Sequence, residues 1–306
     1  MTVIDERSAP ATPPAAPEGG DVTVIASGWK LTLREFMRNK LAVVGVAILV
    51  FFVLFCYIGP YFYHTNQLQT NLLNTDGVPG TGQPLGTDDY GFDVLGRLML
   101  GGQTSLEIGF LASVIASVIG TIWGAVAGLV GGAIDSLMMR IVDILLAVPF
   151  FLIVLIIAHR YGSNIWNLSL ILGVFSWLAP ARLVRGEVLT LRVRDFVSAS
   201  RVMGGTQSHL VFRHLIPNAM GTVIVNVTFQ VADAILALAA LSYVGFGIHY
   251  PNTDWGSQIS NASNSLSNGY WWLVFPVGIA LVLVVMAFNL IGDGLRDAVD
   301  VRLRKR

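Results

Sequence analysis

Few residues in this chain could do covalent chemistry. Cys56 is its one cysteine and lies within an apolar run, where a lone thiol reads as a small buried hydrophobe. The five histidines form no ligand-spaced cluster, so no metal is expected. No glycine-rich loop ends in Gly-Lys-Ser/Thr, so the chain has no phosphate cradle of its own and is expected to bind no cofactor. What remains is a set of charges in apolar surroundings and one basic segment. Asp233 interrupts an otherwise apolar stretch. A carboxylate there either lines a passage and attracts a cationic group, or is a packing residue satisfied by hydrogen bonds or by a second subunit. Asp143 follows Arg140 by three positions, a spacing that pairs the two on one helix face. The basic segment runs from Arg182 to Asn218 and carries Arg182, Arg185, Arg192, Arg194, Arg201 and Arg213. Phe196, Val197, Ser200, Met203 and Gly204 recur at helical spacing, Gly204-Gly205 reads as a helix stop, Ser208 as a cap, and Pro217 as the end of a second short helix. The prediction is helix, glycine turn, helix, with an apolar face that needs a partner.

The elements that carry these residues are membrane spans. Of 306 residues, 54% are hydrophobic and 12% charged, with a mean hydropathy of +0.67. Soluble domains carry about 25% charged residues, so much of this surface must face lipid. The net charge is zero, which gives no field for nucleic acid. A crossing helix needs about 20 apolar residues. Six stretches qualify or nearly so: Leu41–Phe62, Leu106–Val130, Leu137–Ala158, Ile165–Ala181, Met220–Val244 and Trp271–Ile291. With six spans, seventeen of the 19 lysines and arginines fall on one side, and only Arg97 and Arg160 on the other. The positive-inside rule then puts both termini in the cytoplasm. The expected fold is an all-α, polytopic membrane helical bundle, six transmembrane helices with a cytoplasmic loop between the fourth and fifth.

Residues 1–27 are rich in Pro, Ala and Thr, with no apolar periodicity, and read as a disordered cytoplasmic tail rather than a signal peptide. The organisation expected after it is a first helix and extracytoplasmic loop over 28–105, a five-helix core over 106–292 containing the loop 182–218, and a cytoplasmic tail over 293–306. Small residues recur every fourth position at Ala112, Ala116, Gly120, Gly124, Gly128 and Gly132, a ridge along which helix backbones approach closely. Trp271 and Trp272 read first as an interfacial aromatic belt, and His159 as a residue at the membrane boundary.

The run Phe196-Val-Ser-Ala-Ser-Arg-Val-Met-Gly204, followed by His214-Leu-Ile-Pro217-Asn218, resembles the EAA loop of ABC importer permeases, although its eponymous glutamate is missing. Leu85-Gly-Thr-Asp88-Asp-Tyr-Gly91-Phe-Asp93-Val-Leu-Gly-Arg97 resembles the segment after the first span in C-type permeases of dipeptide, oligopeptide and nickel importers. Phe92 stands there where that family usually has arginine, and Gln103 replaces another basic residue. Leu241-Ser-Tyr-Val-Gly245-Phe-Gly247 with Asp254-Trp255-Gly256, and Asn289-Leu-Ile-Gly292-Asp293-Gly294-Leu-Arg296-Asp297, resemble two further family segments, with Leu238 at a position often held by glutamate. The resemblance covers nearly the whole chain from Trp29 onward.

The resemblance implies a non-catalytic permease subunit in the bacterial inner membrane, forming a translocation pathway for dipeptides or oligopeptides with a sister permease. ATP and Mg would be bound by two partner ATPase domains, and cargo delivered by an extracytoplasmic peptide-binding protein. ATPase coupling would fall to Phe196, Ala199, Arg201, Met203, Gly204, Leu210, Arg213, His214 and Pro217. Asp88, Asp93, Tyr250, Asp254 and Trp255 would serve a loop that meets the binding protein or gates the pore, and Asp233 the pathway. The alternative occupant of the loop's apolar face is the membrane lipid, whose anionic headgroups also attract arginine. The rival cargoes are nickel and glutathione. An ion-coupled secondary transporter would more often show repeated halves, and a membrane enzyme would need clustered catalytic residues at one depth.

Overall fold

The computed structural model describes residues 28–80, 82–162, 164–204 and 206–304. The expectation for the N-terminal tail lies outside them. The chain opens with α1 (Gly28–Arg38) and α2 (Lys40–Tyr57), separated at Asn39, whose side-chain oxygen accepts from the Leu41 and Ala42 amides at 3.1 and 3.2 Å and so caps α2. A short α3 (Gly59–Phe62) leads into an irregular segment, then α4 (Val94–Val130). There follow α5 (Gly132–Ala147), α6 (Phe150–Tyr161), α7 (Ile165–Ser176), α8 (Leu178–Leu191), α9 (Asp195–Val202) and a single turn, α10 (Gln207–His209). A π-helical segment, Leu210–Leu215, runs without interruption into α11 (Ile216–Leu241), which ends in a second π turn, Ser242–Phe246. The chain closes with α12 (Trp255–Ser263) and α13 (Phe275–Arg304).

Lys40–Tyr57, Val94–Val130, Leu210–Phe246 and Trp271–Val299 are each long and apolar enough to cross a membrane. The pairs α5–α6, bent by 79°, and α7–α8, bent by 44°, qualify only when each is taken as one span. The protein is thus a multi-pass, all-α membrane bundle of four crossings, or up to six if each bent pair is one.

Both bends have a cause in the sequence. Proline disfavours the helical conformation in the residue before it, and Val148, which precedes Pro149, is extended (φ −86, ψ 133) and closes α5. Pro180 lacks the amide that would return to the carbonyl four residues back, which is Ser176. That carbonyl accepts instead from Gln230 Nε2 of α11 at 3.3 Å. The freed backbone group is thereby satisfied from a neighbouring helix.

The small-residue ridge packs as its spacing predicts. A Cβ on Gly120 would meet Pro180 Cβ at 2.6 Å, one on Gly124 the Ala181 carbonyl at 2.3 Å, and one on Gly128 the Val188 side chain at 2.9 Å. The ridge is therefore the seam along which α8 lies on α4. It stops before Gly132: Gly131 (φ +70) breaks the helix, and Gly132 opens α5 in empty space. α4 starts twelve residues earlier than the predicted span and is continuous through 105 and 106, so the expected boundary there falls inside one helix. The Arg140–Asp143 pair does not form. Asp143 is bonded to Arg182, and Asp135 takes Arg185 in a two-pronged contact of 2.5 and 2.7 Å. Both pairs tie α5 across to α8, because α8 brings its arginines over that face.

Candidate functional site

Two regions at opposite ends of α4, about 55 Å apart at 1.5 Å per residue, hold the candidate residues. At its C-terminal end α8 turns over Arg192–Arg194 into α9. Arg192 anchors the turn by donating to the Gly128 carbonyl at 3.0 Å. Asp195 stands in the first turn of α9, where a carboxylate favours the helix dipole. Gly204 stops the helix with a left-handed φ of +84. Thr206, not Ser208, caps the next turn: its hydroxyl oxygen accepts from the His209 amide at 3.2 Å. Pro217 does not end that helix. It sits at the junction where the π segment meets α11, and the shifted hydrogen bonding of that segment lets the backbone continue through it.

This segment is sharply two-sided. Val197, Leu210, Val211 and Leu215 pack against Ala125 and Leu129 of α4, Val184 and Val188 of α8 and Val223 of α11. Leu210 is fully buried, so it holds the segment in place and cannot itself touch a partner, contrary to expectation. Its place on the outer surface is taken by residues the sequence did not single out, Val202 at 88% exposure and Phe212 at 61%, beside Met203 at 80%. Phe196, Ala199, Arg213 and Pro217 are also exposed, and His214 is half-buried between the rings of Phe196 and His209, at 6.2 and 5.4 Å. Arg201 lies on α9; its side chain is outside the described residues.

At the other end, the segment 63–93 and the segment 247–273 enclose a cavity of about 320 Å³. Asp88, Tyr90, Phe92, Arg97 and Tyr250 line it. Arg97 places its guanidinium 4.0 Å from the Phe92 ring centre and donates to the Pro251 carbonyl at 3.0 Å. Tyr250 donates to the Leu68 carbonyl, which joins the two segments. Asp88 accepts from the Tyr90 and Phe92 amides at 3.0 and 2.8 Å. Burial pushes the Asp88 carboxyl above the usual range even so, and burial together with the Asp88 charge raises Asp89 to about 6. Asp93 is buried: it caps α4 by accepting from the Gly96 amide at 2.7 Å and also takes the Tyr63 hydroxyl at 2.8 Å. Burial, then that hydrogen bond, moves Tyr63 up to about 12. Asp254 and Trp255 have no exposed surface. Asp254 accepts from the Ile248 and Ser257 amides, both at 3.0 Å, and from the Ser257 hydroxyl at 2.7 Å; Trp255 Nε1 donates to the Leu98 carbonyl at 3.0 Å. These three residues build the region, and only Asp88 and Tyr250 of the predicted set face the cavity. Trp272 is buried, while Trp271 is exposed as a belt residue would be.

Asp233 belongs to neither end. It is exposed on α11, beside a cavity of about 350 Å³ at the level of the two helix bends.

Residues 116–305, which include the whole two-sided segment, match the model of the binding-protein-dependent transport system inner membrane component, and residues 27–79 match the N-terminal transmembrane domain of oligopeptide transport permease C. The chain belongs to this permease family. It is 40% identical over 296 residues to the oligopeptide transport system permease protein OppC of Bacillus subtilis, covering 95% of this chain and 97% of the relative. The OppC protein of Escherichia coli K12 is 40% identical over 278 residues, covering 90% and 92%. The dipeptide transport system permease protein DppC of Bacillus subtilis is 36% identical over 272 residues, covering 89% and 85%. As a family permease it carries the membrane passage rather than the enzymatic step, and among the described residues no group of His, Cys, Asp and Glu could hold a metal ion.

Proposed function

We propose that this chain is one of two permease subunits of an ATP-driven importer of dipeptides or oligopeptides. In this reading the chain crosses the membrane six times, with each bent pair counting as one crossing, and both termini lie in the cytoplasm. Segment 196–217 docks on an ATPase subunit, a sister permease completes the passage, and the cavity-bearing segments 63–93 and 247–273 meet a cargo-delivering binding protein outside.

The observation that carries the reading is the two-sidedness of α9 and the turn after it. Val202, Met203 and Phe212 present an apolar tip to the outside, while Val197, Leu210 and Leu215 fix that tip to three helices of the bundle. An exposed apolar patch rimmed by polar residues marks an interaction site. The closely packed base passes displacement of the tip into the spans. The likeness to oligopeptide and dipeptide permeases supports the cargo class.

The test is affinity capture of the tagged chain from native membranes, in wild type and in Met203→Asp. Wild type is expected to bring down a second permease and the ATPases. The variant should keep the permease and lose the ATPases, because Met203 is 80% exposed in the isolated subunit. Wild type recovered alone, or a variant that retains its ATPases, refutes the reading.

A further inference from the structure

Beyond the role of permease, we infer that Asp233 and the two helix bends beside it form a transient site for the cationic group of the passing cargo, an ammonium or guanidinium. The inference rests on the importer reading and names the feature of the substrate that the passage selects.

The cavity beside Asp233 is lined by residues on both sides of the two breaks: Leu146, Val148 and Pro149 at the first, Ser176 and Leu178 at the second. Its only ionisable lining residue is Asp233, and no lysine, arginine or histidine lines it. The one other polar side chain of any length, that of Gln230, is committed to the Ser176 carbonyl. Asp233 is exposed and makes no hydrogen bond or ion pair among the described residues. Each break also deprives last-turn carbonyls of their onward helical partners. The carbonyls loosened at the breaks are acceptors set near a full negative charge, and Asp233 supplies the one ionisable group among them. A carboxylate at membrane depth is costly unless it meets a cation or water. Broken helices whose loosened carbonyls face a cavity are a general means of holding a cation partway across a bilayer. A cavity of about 350 Å³ admits one side chain or one chain terminus, not a folded partner.

The experiment uses the complete importer in proteoliposomes with saturating binding protein, and compares four tripeptides: trialanine, trilysine and the N-acetylated form of each. Asp233→Asn is expected to slow uptake of cation-bearing peptides about tenfold, the effect of about 1.4 kcal/mol of lost attraction, and to leave N-acetyl-trialanine, which has no cation, at the wild-type rate. Loss confined to trialanine and trilysine identifies the amino terminus as the ligand; loss confined to the two trilysine peptides identifies the side chain. Asp233→Glu should retain uptake. Ala237→Lys, one turn along the same cavity wall, should reproduce the loss by filling the site with a tethered cation. If all four peptides slow by one factor in Asp233→Asn, or none does, the inference is wrong. A uniform fall with loss of the sister permease makes Asp233 an intersubunit packing residue instead. If wild type takes up no peptide with ATP, it is the importer reading that fails.

Discussion

The seam between α4 and α8 can be tested with two glycines that differ only in what surrounds them. A Cβ on Gly124 would stand 2.3 Å from the Ala181 carbonyl oxygen and 2.9 Å from the Arg185 amide, against an ordinary contact of 3.4 Å or more. Both obstacles are backbone atoms, so no rotamer change relieves the clash, and α8 must retreat by roughly 1 Å to admit one methyl group. Overpacking of this kind costs about 1–3 kcal/mol. Gly186, on the outer face of α8, has nothing within 4 Å of its ideal Cβ. Alanine there should stabilise by about 0.5–1 kcal/mol, because glycine is the poorer helix former. Thermal unfolding of the detergent-solubilised protein reads both. Gly124→Ala is expected to lower the midpoint by about 2–10 °C and Gly186→Ala to raise it slightly. Because α8 leads directly into α9, in the proposed importer uptake with the Gly124 variant should fall further than ATP hydrolysis by the partner ATPases. Equal midpoints for the two variants would mean that the glycine ridge is not the surface on which α8 rests.

Three further outcomes follow from the geometry. Arg185→Met or Asp135→Asn alone should each cost about 1–3 kcal/mol by leaving one charge without its partner. The double variant should cost less than the two together, read from the same melts. Trp255→Ala empties a fully buried site and removes the bond to the Leu98 carbonyl, so a loss of about 3–5 kcal/mol is expected, seen as a fall in the yield of folded protein. Burial holds the Asp89 carboxyl at about 6, above the ordinary 3.8, so the folded state keeps its proton longer than the unfolded chain does. Its effect is therefore to make the protein more stable below pH 4 than above pH 6, with the loss spread between. Asp89→Asn should flatten that part of the stability–pH curve, and an unchanged curve would refute the shift.

Much of this architecture is legible in the residues. Hydropathy located the helices, and the four-residue spacing of small residues marked α4 as the central helix because close backbone approach needs that spacing and little else. Pro149 and Pro180 announce breaks, since proline acts locally on its own amide and on the residue before it. What was hidden depends on which helices meet. Asp143 has a plausible partner at Arg140 and takes Arg182, because the choice is set by how α5 crosses α8. Leu210 and Met203 are both apolar residues in one basic loop, and nothing in their order says that one is sealed under α9 while the other faces outward. Asp254 and Trp255 carry the same lesson: side chains that could recognise a partner are used up internally, capping α12 and bracing it against α4.

The position of α8 gives this arrangement its mechanical sense. One end of the helix begins at the bend beside the Asp233 cavity, and the other turns into α9, about 20 Å away at 1.5 Å per residue. Along its length it is held by backbone-close packing on α4 and by two arginine–aspartate contacts to α5. Such a helix cannot deform gradually, because close-packed interfaces resist compression. The compliant points are its ends, where Pro180 has removed a backbone hydrogen bond on one side and Gly204 lies beyond α9 on the other. A displacement of the exposed tip at Val202 and Met203 is therefore absorbed least within α8 and most at the Ser176–Leu178 bend. That bend is where the carbonyl of Ser176 depends on a single bond of 3.3 Å from Gln230. Gln230 is one turn from Asp233 on the same helix, so a shift at the bend alters the wall of the cavity that holds the carboxylate. In this bundle the exposed tip at Val202 and Met203 and the unpaired carboxylate of Asp233 are joined by a single stiff element.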